Sequence, residues 1–161
     1  MNPSPIIVRE KPTYLVGMSS PLPPRSAPPQ ERPRVIRELS RAFLSKVSEI
    51  KGRKGPERYS VIENDIHESG KAPVIRVMVA VDSFEAIPTW CDRFTIEPGH
   101  YAVFEHKGLP SELSRTVADI HAKWSKQLPG LFESDREIIL YPAGYDPTDL
   151  NGVFEYCLPL P

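Results

Sequence analysis

Apolar side chains recur three or four residues apart in two stretches of this chain and alternate with polar ones in several others. In residues 111–128, Leu113, Val117, Ile120, Trp124 and Leu128 share one helical face; Pro110 suits the first turn and Pro129-Gly130 the end. Residues 34–51 place Ile36, Leu39, Phe43, Val47 and Ile50 together in the same way, and Gly52 follows. Between these runs, residues 93–108 read as a strand, a tight turn at Pro98-Gly99, a second strand, and a Gly that releases the chain into the helix. Residues 6–17 form a first strand region kinked at Pro12, whose missing amide favours an edge or a bulge. Further strands are expected over 59–63, 74–81, 138–141 and 153–158. In the second of these, Ile75, Val77, Val79 and Val81 face one way and Arg76, Met78 and Ala80 the other.

The order strand, helix, strand, strand therefore occurs twice, before and after residue 92. Two local echoes accompany it. Lys11-Pro12-Thr13-Tyr14-Leu15-Val16 resembles Glu97-Pro98-Gly99-His100-Tyr101-Ala102-Val103, and Glu-Leu-Ser-Arg occurs at 38–41 and again at 112–115. An α+β domain is expected, with an antiparallel sheet, two main helices on one face and a pseudo-twofold axis. A pocket is expected on that axis.

A length of 161 residues suits a single domain spanning 1–161, and 40% apolar with 25% charged residues is ordinary for a soluble globular protein. The six prolines of residues 19–33 make that segment an extended loop, either a surface connector or a Pro-rich ligand for a partner. A formal charge of −1 gives no overall pull toward nucleic acid or membrane. Residues 31–58 nevertheless carry nine Lys or Arg against four Glu, an excess of five, as a solvated face or as a patch for a protein partner across 32–58.

Cys91 and Cys157 make no disulfide framework; no apolar run approaches the ~18 residues of a membrane span, and the start lacks signal-peptide regions. A cytoplasmic protein is expected. His67, His100, His106 and His121 have no metal-ligand spacing with the cysteines, and no phosphate loop or dinucleotide fingerprint occurs, so no metal, nucleotide or other cofactor is expected. No catalytic residue is assigned.

Tyr101-Ala102-Val103-Phe104-Glu105-His106-Lys107-Gly108, the helix with Leu113, Thr116, Ile120 and Trp124, and the ending Tyr156-Cys157-Leu158-Pro159-Leu160 together resemble the GyrI-like small-molecule-binding domain. That module senses drugs in bacterial transcription activators. The likeness runs from Ile6 to Leu160, without the Pro-rich loop. It implies a pocket of aromatic rings with a carboxylate that receives lipophilic cations, each ring gaining about 0.5–2 kcal/mol on a desolvated cation. In the family the strand after the second helix usually carries a Glu two residues before a Tyr. Here the Tyr is Tyr141 and the acidic position falls on Ile139, so Glu63 or Glu105 is the expected substitute, or else the pocket is neutral.

The candidate ligand-binding residues are Glu105, Tyr101, Trp90, Tyr141, Phe104, Glu63 and Tyr156. Alternation puts Glu105 on the face of Tyr101 and Val103, and Trp90 lies in a loop where a large ring needs something to cover. Because the chain starts with a strand, a stand-alone binding protein without its own DNA-binding region is expected. The alternatives are a hydrolase of electrophilic cyclopropane-containing genotoxins, using a pocket carboxylate, and a regulatory protein acting on DNA gyrase through its basic segment.

Overall fold

A computed structural model describes residues 4–24, 26–64 and 72–161. Most of the polar loop expected after residue 63, including His67 and Gly70, lies outside the described residues. The strands are β1 (Ile6–Arg9), β2 (Thr13–Pro21), β3 (Arg58–Glu63), β4 (Val74–Val81), β5 (Asp92–Ile96), β6 (Gly99–Lys107), β7 (Arg136–Tyr141) and β8 (Val153–Pro159); the helices are α1 (Glu31–Leu44) and α2 (Leu113–Trp124). Among the described residues all pairings are antiparallel, in one eight-stranded sheet of order β1-β6-β8-β7-β3-β4-β2-β5. The α+β expectation holds.

This order forces the sheet to curl. Only Glu97 and Pro98 join β5, at one edge, to β6, six strand positions away. Six flat spacings would be about 29 Å, and each residue spans at most ~3.6 Å. The short link between β1 and β2 makes the same demand, so the sheet closes toward a half-barrel. The hairpin expected across Pro98-Gly99 is thus not one: β5 pairs with β2, while β6 pairs with β1 and β8. The first strand region likewise divides at Pro12 into two strands that do not pair with each other.

Alternation gives the sheet two different faces. Ile75, Val77, Val79 and Val81 pack with Val16, Leu39 and Phe43 beneath α1; Ala102, Ile139, Phe154, Tyr156 and Leu158 pack with Ile120 beneath α2. Directly opposed residues of β3 and β7, such as Ile62 and Glu137, show that these two cores share one face. Leu15, Val61, Met78, Ala80, Ile96, Tyr101, Ile138 and Cys157 fill the other, concave face. Burying each such aliphatic or aromatic side chain contributes about 1.5–3 kcal/mol. Gly17 has a specific job between β2 and β4: a Cβ there would lie 1.9 Å from the carbonyl oxygen of Val77.

Both helices are shorter than their apolar patterns. α1 stops at Leu44, where the Ser45 hydroxyl donates to the Ala42 carbonyl, and a 3-10 turn then delivers Val47 and Ile50 to the same core. A 3-10 turn at Pro110–Glu112 precedes α2, and Leu128 lies beyond its end. The Pro-rich segment is not wholly loop either, since β2 continues to Pro21 and Pro33 sits in the first turn of α1, where a proline costs no internal hydrogen bond.

Candidate ligand-binding site

The two central strands, β7 and β3, lie between the regions packed under α1 and α2. Their helix-side residues are Ser60 and Ile62 on β3 and Glu137, Ile139 and Tyr141 on β7, with Ser60 opposite Ile139 and Ile62 opposite Glu137. Glu137 is 8% exposed, a carboxylate within the fold. It accepts a hydrogen bond of 2.5 Å from the Tyr156 hydroxyl and one of 2.7 Å from the Asn64 amide. Such charge-assisted bonds are about twice as strong as neutral ones and hold the carboxylate in place. Tyr156 is itself 1% exposed, on β8 opposite Ile139.

Aromatic side chains surround this centre. Tyr141 accepts from the Ser60 hydroxyl at 3.4 Å and meets Tyr145 in a tilted contact at 4.9 Å, and both rings meet Phe154 edge-on. Burial pushes the Tyr141 hydroxyl above its ordinary pKa, against the opposing pull of Ser60 and Arg58; burial likewise pushes Tyr145 up to about 12. On the α1 side, Ser40, Phe43 and Leu44 face Ser60, Val77 and Tyr141 across a cleft of about 20 Å³. That volume holds about one water. On the α2 side, Phe104 packs against Trp124 at 6.2 Å. His106, buried on β6, ties α2 down: its Nε2–H donates to the Leu109 carbonyl at 2.9 Å, leaving Nδ1 to accept from Thr116 at 2.6 Å.

Residues 3–161 match the GyrI-like small molecule binding domain. The chain belongs to that family. Among solved structures, this GyrI-like domain is similar to SAV2435 bound to tetraphenylphosphonium, at 16% identity and a TM-score of 0.73, covering 99% of this chain and 94% of that one. It is similar to the C-terminal domain of EcmrR, at 14% identity and 0.64, covering 96% and 95%. It is also similar to a hydrolase encoded by lin2189 from Listeria innocua, at 14% identity and 0.54, covering 96% and 89%. At such identities the likeness is one of fold. No curated protein sequence matches the chain significantly.

The fold of this GyrI-like domain brings some candidate residues together and separates others. Tyr141, Tyr156 and Phe104 share the helix side of the sheet. Trp90 is also on that side, behind the C-terminal end of α1, where it packs on Phe43 at 6.3 Å and donates to Glu49 at 3.3 Å. Tyr101, Glu63 and Glu105 belong to the concave side. Tyr101 donates to the Glu97 carbonyl, Glu63 is ion-paired with Arg76, and Glu105 is exposed opposite Glu155 on β8. Sequence reasoning passed over Glu137. A search for an acid two residues before Tyr141 stops at Ile139, whereas the same alternation continued by one step reaches Glu137 on the same face.

The two sequence echoes do not overlay in the structure. Tyr14 faces α1 whereas Tyr101 faces the concave core; Glu38-Leu39-Ser40-Arg41 lies within α1, whereas Glu112-Leu113-Ser114-Arg115 straddles the start of α2. What recurs is the order of elements. Each series contributes its first, third and second strand, counted inward from beside the edge strands β1 and β5, as β6-β8-β7 and β2-β4-β3.

Proposed function

We propose that this domain binds lipophilic aromatic cations in the groove between its helices, with Glu137 as counter-charge and Tyr141, Tyr156 and Phe104 among the contacting rings. The observation that carries this reading is the buried Glu137 carboxylate at the centre of an aromatic-rich face. A cation brought beside a carboxylate there is attracted far more strongly than in water, because little solvent screens the pair. Ring faces add their own attraction while demanding little shape, which suits a site of broad taste. Tetraphenylphosphonium, the ligand in the SAV2435 structure, is a cation of this class and a natural first probe.

The 20 Å³ cleft is too small for such a molecule, since small-molecule pockets run to several hundred Å³. Binding therefore requires the groove to open beyond this cleft, which is walled on one side by Ser40, Phe43 and Leu44 of α1.

The test is a thermal-shift comparison of tetraphenylphosphonium with the neutral triphenylphosphine oxide. At 100 times its dissociation constant the cation should stabilise the domain by about 2.7 kcal/mol. Equal stabilisation by both compounds would remove the role given to Glu137. A hydrolytic reading rests on the same Glu137–Tyr156 pair, in which the carboxylate would deprotonate water. It requires turnover of an electrophilic ligand that Glu137→Gln abolishes. Within the basic segment, Arg32, Arg53 and Arg58 donate to carbonyl groups of this same chain, which favours a structural role there over a partner surface. We read the domain as acting through its ligand without sequence-specific DNA contacts of its own, which a mobility-shift assay checks.

A further inference from the structure

We propose that the concave side of the sheet carries a second, separate site, which takes a small aromatic monocarboxylate. At one end of the curl, the β5–β6 connection, the start of β7 and the C-terminal residues line a half-open cavity of about 240 Å³. At ~30 Å³ per water this is the space of about eight waters, enough for a one-ring acid. Phe94, Tyr101 and Ile138 give it apolar walls, and Arg136 brings a guanidinium to it.

Arg136 is held for that role. Its backbone amide donates to the Ser134 hydroxyl at 3.1 Å, and its guanidinium carbon lies 5.3 Å from the centre of the Phe94 ring. Its Nε is buried and has no hydrogen-bond partner. Leaving a charged donor unmet is unfavourable, and a carboxylate meets a guanidinium with two parallel hydrogen bonds. The other arginines nearby are differently engaged. Arg76, on Phe94 at 5.6 Å, is ion-paired with Glu63, and Arg9 lies over Tyr101 at 5.6 Å.

Besides Arg136 and Tyr101, three charged or titratable side chains line the cavity. Glu97 and His100 are exposed and Asp135 is half-buried. The two acids at the walls repel added negative charge, so the site takes no more than one, placed directly against the Arg136 guanidinium, whose Nε lacks a partner. Phe94 and Tyr101 favour a flat ring on that single charge. The site stands apart from the helix-side groove, because Arg136 and Glu137 are consecutive in β7 and point to opposite faces.

The test is an amide NMR titration of the whole chain with benzoate, using benzamide as the neutral match and phenylphosphonate at pH 8.5 as the dianion. Benzoate should shift Gly99, His100 and Arg136, and bind at least tenfold more tightly than either comparison compound. Arg136→Lys should weaken benzoate at least fivefold and Arg136→Gln at least tenfold, while Glu137→Gln leaves it unchanged. If Arg136→Gln does not fold, the wild-type shift map and the Lys variant decide. Absence of binding, shifts concentrated on Ser60, Glu137 and Tyr156, or equal affinity of the Arg136 variants would each overturn the proposal. Because Glu137→Gln is predicted to affect only cations, failure here is separable from failure of the cation site.

Discussion

The two faces of this sheet use the same kinds of side chain to opposite effect. On the helix side the buried charge is a carboxylate, Glu137, set among Tyr141, Tyr156 and Phe154. On the concave side the charges nearest the rings are guanidinium groups, with Arg76 and Arg136 on Phe94 and Arg9 on Tyr101. Aromatic rings serve both, since their faces attract cations while their edges and apolar bodies accept other ligands. A formal charge of −1 hides this division completely. Net charge describes the chain; alternation along one strand decides which face each charge serves.

The largest effect expected from disturbing the contrast is on the helix side. Phe154 is 1% exposed and its ring meets His106, Tyr141 and Tyr145. Phe154→Ala should cost about 3–5 kcal/mol in urea unfolding, and a loss under about 1 kcal/mol would show that the aromatic cluster is not a rigid wall.

The concave core should reveal itself at alkaline pH. Burial pushes the Cys157 thiol from 9.0 up to about 12. A folded pKa above the unfolded one means that stability is complete below pH 9 and is lost as pH rises toward 12. At pH 10.5 the loss from this thiol is roughly 2 kcal/mol, and Cys157→Ala should remove it. Parallel pH–stability curves for the two proteins would contradict the burial.

The smallest effects belong to the acids first favoured from the sequence. Glu63→Gln breaks a partly exposed ion pair with Arg76 and should cost about 0–1 kcal/mol. Glu105→Gln relieves the like-charge pairing with Glu155 and should stabilise by a few tenths of a kcal/mol, or not at all. Neither should change cation affinity, and a clear loss in either would move the counter-charge to the concave side.

Much of the architecture was legible because it depends on local periodicity. The alternation of 74–81 assigned Ile75, Val77, Val79 and Val81 to one face correctly, and both helices were located, although α1 ends at Leu44, well before its apolar pattern does. The pairing of strands was not legible. Pro98-Gly99 looks like a hairpin turn, yet the short link spans the gap in a curled sheet, and only the total set of pairings dictates that. Glu137 escaped notice for a related reason. It follows Arg136 and precedes an apolar run, so it reads as the polar start of a strand. Its burial depends on Asn64 and Tyr156, which come from distant parts of the chain. The apparent internal echoes at Tyr14 and Tyr101 misled in the other direction, because a shift of one residue in a strand reverses the face.

The most direct test of the cation site is calorimetric titration of tetraphenylphosphonium into the wild-type protein and into Glu137→Gln and Arg136→Gln. Affinity should fall at least tenfold in Glu137→Gln, about 1.4 kcal/mol or more, and remain unchanged in Arg136→Gln. Unchanged affinity in Glu137→Gln, or a loss confined to Arg136→Gln, would contradict the assignment of the helix side to cations.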